Sequence, residues 1–233
     1  MAHVIITDPA RAPLDDVDRL QQFGVATIHE AIGRVGLLDP RLRPIQTGVR
    51  VAGTAVTVEC WPGDNLMIHA AVEQCRPGDL LVVTTASEST DGLFGELLAT
   101  SLQSRGVRGL ITTTGVRDTE ELRTMSFPVW SAAVSAQGTV KATAGSVNVP
   151  IAIGKTVVRP GDVVVADDDG IVLVPRRETA AAIEASTARE AKEEKTRAAL
   201  AAGELGLDRY NLRQLLADLD VKYVEYTEGV DDE

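Results

Sequence analysis

Aromatic side chains are scarce in this sequence: Phe, Trp and Tyr make up 3% of its 233 residues. The hydrophobic fraction of 44% therefore comes mainly from alanine and aliphatic residues. Such small side chains suit strands that are packed closely against helices. A chain of this length can bury a substantial core. We expect a single α/β domain that spans residues 1–233.

Cysteine is also rare, and the only two, Cys60 and Cys75, match no metal-ligand spacing. Two thiols cannot build a disulfide framework, which indicates a reducing compartment and a cytoplasmic location. No apolar run approaches the roughly 20 residues that a membrane span needs. The first residues lack the basic and apolar regions of a signal peptide. The sequence therefore predicts a cytoplasmic protein without a membrane partner.

Clustered positive charge is missing as well. Lys and Arg total 23 against 34 Asp and Glu, which gives a formal net charge of −11. Binding to nucleic acid needs cations that are grouped against phosphates. We therefore expect no nucleic-acid partner, and solubility is a sufficient explanation of the acidity.

Several common catalytic motifs are absent. The sequence has no GxxxxGKS/T loop, no GxGxxG after a strand and no GxSxG elbow. Its histidines, His3, His29 and His69, lack the paired spacing of a metal site, and helical histidines are more often packed or capping residues. A Schiff-base route through Lys141 or Lys155 stays open but weak, because neither lies in a continuous apolar run. The remaining chemistry is that of carboxylate and guanidinium groups, which suits a hard cation such as Mg²⁺.

Hydrophobic spacing predicts helices at both ends of the chain. Residues 14–35 indicate one or two helices around Gly24, with Thr27 as a cap. Residues 177–203 predict one long helix and 208–219 a short tail helix, followed by an acidic end that we expect to be mobile. Between them, strands and helices are predicted to alternate, with strands at 50–60, 76–85 and 108–114, strand-like segments at 128–135 and 145–153, and helices at 66–75 and 95–106.

Residues 163–175, VVVADDDGIVLVP, predict a β-hairpin with Asp-Gly at its turn. The three adjacent aspartates are explained by turn chemistry more simply than by a metal site. Taken together, the elements predict a layered αββα sandwich of the swivelling β/β/α type with helices at both termini. Residues 177–233 would form a C-terminal helical extension used in oligomer contacts.

The segment 95–118, GELLATSLQSRGVRGLITTTGVRD, contains the main candidate site. Arg117 and Asp118 follow a predicted strand, at the edge where open α/β sheets bind ligands. Glu96 opens the preceding helix, whose free N–H groups at Leu97 and Leu98 could hold a carboxylate. A short turn at Gly106 joins helix and strand, so these residues are predicted to lie close together. An ion pair or a turn is the alternative reading of Arg117 and Asp118.

Nine segments give the chain a resemblance to a known family over nearly its full length. It resembles the class II pyruvate aldolases of the 4-hydroxy-4-methyl-2-oxoglutarate / 4-carboxy-4-hydroxy-2-oxoadipate type, which share a fold with the regulator of ribonuclease activity A. Each segment is weak alone, and their number and order carry the match. They are HEAIGR (29–34), VAGTAVTV (51–58), GDNLMIHAA (63–71), RPGDLLVV (76–83), GELLATS (95–101), GVRD (115–118), VNVPIAIG (147–154), PGDVVVADDDGIVLVP (160–175) and LAAGELGLDRYNLR (200–213).

The resemblance implies a divalent cation, Mg²⁺ or Mn²⁺, with Asp118 as its direct ligand. Glu96 would bind it through water, and so would Glu193 of a neighbouring subunit, with Glu194 as the fallback. The substrate-binding groups would be Arg117 and the backbone N–H groups of Gly95, Glu96, Leu97 and Leu98. Arg117, Asp118 and Glu96 would be catalytic, in a homotrimer or homohexamer that cleaves 2-oxo acids. Retro-aldol cleavage and oxaloacetate decarboxylation would both pass through the pyruvate enolate.

The sequence departs from the family pattern in two places. Thr113-Thr114 stands where many relatives have Asp-Gly, and Ile-Gly-Lys at 153–155 stands where Gly-Gly is common. Two alternatives to the aldolase reading therefore stay open. One is an aldolase or decarboxylase for a different 2-oxo acid, and the other is a non-catalytic binding protein like the ribonuclease regulator. The segment 203–223, which the shorter regulators lack, favours the enzyme.

Overall fold

The computed structural model describes residues 3–226. Strands and short helices alternate in its middle, and helices lie at both ends. The helices are α1 (Leu14–Leu20), α2 (Val25–Ala31), α3 (Leu66–Gln74), α4 (Glu96–Gln103), α5 (Thr119–Thr124), α6 (Thr179–Ala201), α7 (Gly206–Arg209) and α8 (Leu212–Asp218). The strands are β1 (Arg43–Pro44), β2 (Val51–Cys60), β3 (Asp79–Thr85), β4 (Gly92–Phe94), β5 (Leu110–Val116), β6 (Val129–Val134), β7 (Ser146–Val147), β8 (Ile151–Ile153), β9 (Thr156–Val158), β10 (Val163–Ala166) and β11 (Ile171–Val174).

Nine strands form one mixed sheet in the order β1-β6-β5-β3-β2-β10-β11, with β4 beside β5 and β7 beside β2. The neighbouring strands β2, β3, β5 and β6 are parallel. The helices α3, α4 and α5 stand in the connections between them, as parallel pairing requires. β10 is antiparallel to both β2 and β11, and β8 pairs with β9 in a separate hairpin. The carboxyl ends of β3, β5 and β6 therefore lie along one edge.

The sheet curls around part of its own core. One cluster of buried side chains packs α3 and α4 against one face of the parallel strands. On the other face, Leu80, Ile111 and Trp130 meet residues of β10, β11 and the β8–β9 hairpin. Trp130 Nε1 donates to the carbonyl of Asp167, 2.9 Å away, across this interior. A third cluster packs α1, α2 and the first turns of α6 against β10 and β11. This confirms the predicted mixed α/β class with helical outer layers.

The β10–β11 hairpin is confirmed, and two of its aspartates accept hydrogen bonds from backbone N–H groups. Asp167 Oδ2 accepts the backbone N–H of Val25 at the start of α2, 2.9 Å away. Asp168 Oδ2 accepts the backbone N–H of Gly48 at 2.8 Å. The N-terminal helices separate at Gly24 as predicted, but Thr27 lies inside α2 and does not cap it.

Two predictions about the helices need correction. The expected tail helix over 208–219 is split into α7 and α8, because Asn211 adopts a left-handed conformation with φ of 54°. Helix α5 was not predicted from the sequence. The acidic end beyond residue 226 lies outside the described residues.

The chain divides into two compact units between Thr187 and Ala188, within α6. The first unit contains the complete sheet. The second contains the rest of α6 together with α7 and α8, and none of its residues up to 226 is buried. The division falls ten residues after the predicted start of the C-terminal extension at 177, and the use of that extension in oligomer contacts stays a prediction. No helix within residues 3–226 is long and apolar enough to cross a membrane.

Candidate active site

Arg117 and Asp118 stand at the carboxyl end of β5, as the sequence predicts. The backbone N–H of Arg117 donates to the carbonyl of Phe94 at 2.9 Å, which ties this end of β5 to β4. Asp118 then adopts a left-handed conformation with φ of 56° and ψ of 42° and begins α5. Aspartate tolerates this region better than most residues, but the conformation still costs energy and often marks a functional position.

The N-terminus of α4 contacts Asp118. The backbone N–H of Glu96, its first residue, donates to Asp118 Oδ2 across 3.1 Å. A methyl group on Gly95, which caps the helix, would lie 2.3 Å from the same oxygen. The carboxylate therefore occupies the space that any other side chain at position 95 would need. The N-terminal end of the helix dipole favours negative charge at this place.

The other groups of α4 remain available to a ligand. The N–H groups of Leu97 and Leu98 lie in the first turn, where a helix offers them no carbonyl partner. The carboxylate of Glu96 accepts from the hydroxyl of Thr100 on the next turn at 2.9 Å, through Oε1. Its Oε2 is left for other contacts. As whole residues, Leu97 is 78% exposed and Leu98 is buried.

The guanidinium of Arg117 is only loosely paired. Its Nε lies 3.7 Å from Asp118 Oδ2, and both side chains are partly exposed. Such a pair contributes little to stability and leaves the other guanidinium donors for a ligand. A methyl group placed on Gly138 would lie 3.9 Å from Arg117 Nη1. The segment that follows β6 therefore forms the wall against which the guanidinium rests.

A cleft of about 330 Å³ opens beside these groups, and it is lined by Arg117, Asp118, Thr119, Val134, Ser135 and Ala136. A larger cleft of about 500 Å³ lies between α2, β11 and the start of α6. Its lining is almost entirely apolar. The smaller cleft is the candidate site, because Arg117 and Asp118 line it and Asp118 accepts the first N–H of α4, whereas the lining of the larger cleft contains no arginine or lysine.

The two departures from the family pattern lie away from this cleft lining. Thr114 is buried and hydrogen-bonded to Thr112 through their hydroxyls, 2.7 Å apart. Thr113 contacts Thr84 at 3.2 Å and lines a separate depression of about 380 Å³ on the same sheet edge. Lys155 is exposed in the turn of the β8–β9 hairpin, and Lys141 is also exposed. Neither lysine is in the desolvated setting that a Schiff-base mechanism needs.

Glu193 and Glu194 lie in the second compact unit, on the part of α6 after the division. Glu193 Oε1 pairs with Arg189 Nε at 2.8 Å, one turn away. Glu194 pairs with Arg197. Both are ordinary contacts of a helix surface, and the role of Glu193 at a neighbouring subunit's site stays a prediction.

The donor groups limit the kind of metal that the site could hold. Within residues 3–226, no group of three or more His, Cys, Asp and Glu side chains is arranged to bind a metal ion. A site that takes three protein ligands, such as catalytic zinc, does not fit. Asp118 lines a cleft that is open to water, and Glu96 adds a second carboxylate from the neighbouring first turn of α4. This fits a hard divalent cation that keeps most of its waters, as Mg²⁺ does.

The histidines take no part in the site. His29 Nδ1 is hydrogen-bonded to the carbonyl of Val35 at 3.0 Å, in the loop after α2. Burial, with a smaller contribution from the charge of Lys141, lowers the pKa of His69.

Sequence reasoning missed the segment 134–138, which supplies half of the cleft. Its residues are Val, Ser, Ala, Gln and Gly, which carry no catalytic signature. The only available signal is topological, because β6 is parallel to β5 and its carboxyl end must reach the same edge.

Comparison with known proteins identifies a family. Residues 25–173 match the family model described as RraA-like: Aldolase/RraA. The chain belongs to this family.

Two relatives and one solved structure are similar to this chain in sequence or fold. A protein of Halalkalibacterium halodurans named "Putative 4-hydroxy-4-methyl-2-oxoglutarate aldolase" is 24% identical over 201 residues, which is 86% of this chain and 96% of the relative. A protein of Burkholderia multivorans with the same name is 34% identical over 143 residues, or 61% of this chain and 87% of the relative. The structure of Streptomyces coelicolor RraAS2, described as an unusual member of the RNase ES inhibitor RraA protein family, is 28% identical with a TM-score of 0.73. It covers 82% of this chain and 99% of its own.

Proposed function

We propose that this protein is a divalent-metal-dependent pyruvate aldolase. It would cleave 4-hydroxy-2-oxo acids such as 4-hydroxy-4-methyl-2-oxoglutarate or 4-carboxy-4-hydroxy-2-oxoadipate, and it would decarboxylate oxaloacetate at the same site. The carrying observation is the hydrogen bond from the backbone of Glu96 to Asp118 Oδ2, beside the guanidinium of Arg117. It brings the N-terminus of a helix to a carboxylate that lines the cleft beside a guanidinium. The names of the relatives agree with a lyase of this kind.

Substrate binding in this proposal uses the first turn of α4 and the guanidinium of Arg117. The backbone N–H groups of Leu97 and Leu98 point out of the first turn of α4 and are suited to the carboxylate of a 2-oxo acid. Arg117 is suited to the 2-oxo oxygen, because its guanidinium is only loosely paired with Asp118. The cleft volume of about 330 Å³ is in the range of small-molecule sites.

The main requirement of the reaction is that developing negative charge be stabilised. When the bond between C3 and C4 breaks, its electron pair moves toward the C2 carbonyl, and an enolate oxygen develops there. Arg117 stabilises this oxygen by a fixed positive charge, which is worth most in a site that excludes water. The proton of the C4 hydroxyl must also leave. We assign its removal to the carboxylate of Glu96, because Thr100 engages only one of the two carboxylate oxygens.

Asp118 and Glu96 would hold the cation, Asp118 directly and Glu96 through water. When bound, Mg²⁺ or Mn²⁺ would supply additional positive charge for the enolate oxygen. Asp118 is pre-positioned for this task by its left-handed backbone and by the N–H of Glu96. Oxaloacetate has its breaking bond at the same distance from the 2-oxo group, so the same residues would serve its decarboxylation.

The proposal includes an oligomer, in which Glu193 from a neighbouring chain completes the water-mediated metal contacts. Sedimentation velocity tests this part by itself. A trimer or a hexamer is expected, and a monomer would remove Glu193 from the site while leaving the other assignments in place.

The decisive experiment measures pyruvate release from oxaloacetate and from 4-hydroxy-4-methyl-2-oxoglutarate, each with Mg²⁺ and with EDTA. Release from both substrates that stops with EDTA and returns with excess Mg²⁺ is the expected result. Release from oxaloacetate alone would point to a decarboxylase. Release that EDTA does not affect would contradict the metal assignment.

A second candidate is a binding protein without catalysis, because the structure resembles a member of the RNase ES inhibitor family. A folded oligomer that releases no pyruvate from either substrate would favour this reading. The contact that joins the N-terminus of α4 to Asp118, beside the guanidinium of Arg117, favours the enzyme.

A further inference from the structure

We propose that Asp64 and Asn65 are positioning residues of this active site, since they hold the two segments that place Arg117 and the start of α4. This inference rests on the proposed function. Neither residue lines the cleft, and both are buried just before α3. Their side chains bind backbone groups from two parts of the chain that meet at the cleft.

Asp64 fixes the segment that follows β6. Its carboxylate is almost completely buried, at 2% exposure. Oδ2 accepts the backbone N–H groups of Ala142 and Thr143 at 2.8 and 2.7 Å, and Oδ1 accepts that of Leu66 at 2.8 Å. Burial by itself raises the pKa of Asp64, but these backbone donors outweigh it, so the pKa lies below its usual value. The group is therefore a charged anchor for a segment without regular structure.

Backbone contacts beside Asp64 strengthen the same attachment. The N–H of Asn65 donates to the carbonyl of Val140 at 3.0 Å, and the N–H of Val140 donates to the carbonyl of Gly63 at 2.9 Å. Residues 140–143 are thus held over a stretch of four residues, by backbone and carboxylate together.

The anchored residues continue the segment that passes close to Arg117. The carbonyl of Gln137 accepts the N–H of Gly92 at 2.9 Å, and the N–H of Ser135 donates to the carbonyl of Val116 at 2.9 Å. Gly138 lies close enough to Arg117 that an added methyl group would be 3.9 Å from Nη1. Residues 135–138 therefore reach the end of β5 at one end, while Asp64 holds the other end through Ala142 and Thr143.

Asn65 acts on a second segment, the one that leads from β4 into α4. Its Nδ2 donates to the carbonyl of Leu93 at 2.9 Å, two residues before the helix cap Gly95. Its Oδ1 is buried and has no hydrogen-bond partner in the described part of the chain. A buried acceptor without a partner costs free energy, so this oxygen gives no reason for an asparagine at position 65. The hydrogen bond from Nδ2 to Leu93 gives that reason, and it sets where β4 ends and α4 begins.

Fixed positions matter because the site works by placement of charge. Electrostatic stabilisation of a transition state needs donors that are already in place, and a displacement of about 1 Å can cost about 100-fold in rate. Asp64 and Asn65 are neighbours in sequence, and they hold the segment beside Arg117 and the start of α4. A shift of this one dipeptide would therefore move Arg117 relative to Glu96.

The test compares Asp64→Asn with a matched control, Asp162→Asn. Asparagine keeps the size of Asp64 but has a single acceptor oxygen, so one set of N–H groups loses its partner. Asp162 is also a buried carboxylate that accepts a backbone N–H, from Arg176 at 3.0 Å. It lies just before β10, whose register places Val163 beside Thr54 and so near the amino end of β3, away from the active-site edge.

For Asp64→Asn, we expect kcat for pyruvate release to fall at least about 10-fold with KM changed less than about 3-fold. The Nε–H resonance of Arg117 and the amide resonances of Glu96 and Gly138 should shift in NMR spectra. Asp162→Asn should lower the unfolding temperature without either effect. In an Arg117→Lys background, Asp64→Asn should lower kcat less than about 3-fold, because the guanidinium that Asp64 helps to place is absent from that variant.

Other outcomes separate the two proposals. If the natural chain releases no pyruvate, the proposed function fails, and the NMR shifts of Arg117 and Glu96 still test the positioning. Unchanged resonances together with unchanged kcat in a folded Asp64→Asn variant would overturn the inference. So would an equal loss of kcat in Asp162→Asn, which would assign the effect to stability. Should Asp64→Asn not fold, Asn65→Ser carries the same test, since it removes only the contact with Leu93.

Discussion

The backbone N–H of Glu96 donates to Oδ2 of Asp118 across 3.1 Å, and the two residues are 22 positions apart in the chain. This contact joins the start of α4 to the start of α5 at the edge of the sheet. It removes one N–H from the free set of α4 and gives Asp118 a fixed orientation. The backbone N–H groups of Leu97 and Leu98 remain as donors for a ligand. The carboxylate of Asp118 already balances the positive end of the helix dipole.

Replacement of Asp118 by asparagine should separate chemistry from folding. The amide is nearly isosteric and can still accept from Glu96, but it lacks the negative charge that a divalent cation needs. We expect kcat/KM for pyruvate release to fall by about 100-fold or more, with the unfolding temperature within a few degrees of the natural chain. Asp15→Asn, an exposed acid in the first turn of α1, is the control for loss of charge alone. Activity that survives in Asp118→Asn would remove the metal ligand from the proposal.

Gly95→Ala should damage the site through sterics alone. The backbone of Gly95 has φ of −157°, which any residue adopts, but the new methyl group would lie 2.3 Å from Asp118 Oδ2 and 3.0 Å from Arg117 Cγ. The carboxylate must move, and we expect kcat to fall about 10-fold or more.

Gly24→Ala is the matched control for this change. Gly24 also caps a helix with extended backbone, and the nearest atom to an added methyl group would be Nη2 of Arg50, 3.5 Å away. Normal kinetics in Gly24→Ala and slow kinetics in Gly95→Ala are expected. Equal kinetics in both variants would show that the position of Asp118 does not matter.

Asp79 should be a stability residue without a catalytic role. It is fully buried at the start of β3 and binds Arg11 through Nε and Nη2 at 2.9 and 3.0 Å, and the backbone N–H of Arg76 at 2.7 Å. Asp79→Ala leaves the mostly buried guanidinium of Arg11 without its carboxylate, which typically costs about 3–5 kcal/mol. Urea unfolding should show this loss, while kcat of the folded fraction stays unchanged.

Asp64 should give the protein a measurable sensitivity to acid. Its pKa is lowered in the folded state, so its contribution to the free energy of unfolding is complete above the ordinary aspartate pKa of about 3.9. The contribution is lost as the pH falls through the lower folded-state pKa. The difference in urea midpoint between the natural chain and Asp64→Asn should therefore be largest near pH 6 and shrink below about pH 4. A difference that grows toward acid pH would contradict the assigned sign.

Cys60 and Cys75 should be chemically inert in the folded protein. Both are buried and free, and burial raises the pKa of each thiol to about 12. Almost no thiolate exists at neutral pH under these conditions, and the thiolate is the reactive form. A thiol reagent at pH 8 should label neither cysteine until urea unfolds the chain, after which both should react. Rapid labelling of the native protein would show that the surrounding core opens.

Local sequence patterns were enough to predict the elements that the site needs. The repeated Pro-Gly-Asp turns, the apolar runs and the Asp-Gly turn of the hairpin all fold as predicted, because turn chemistry and burial act over a few residues. Glu96 opens its helix and Arg117-Asp118 closes β5 for the same reason. The tail helix was wrong at Asn211, where one left-handed residue interrupts an otherwise helical pattern.

The sequence thus determined the residue types, the strand and helix that carry them, and the sheet edge at which they end. Only the tertiary structure decided that Asp118 takes a left-handed backbone, that its carboxylate fills the space of a side chain at Gly95, and that Thr114 turns into the core. It also brought 134–138 to the cleft and placed Asp64 and Asn65 behind it. These relationships depend on strand register and on backbone hydrogen bonds between distant segments, and no local periodicity encodes them.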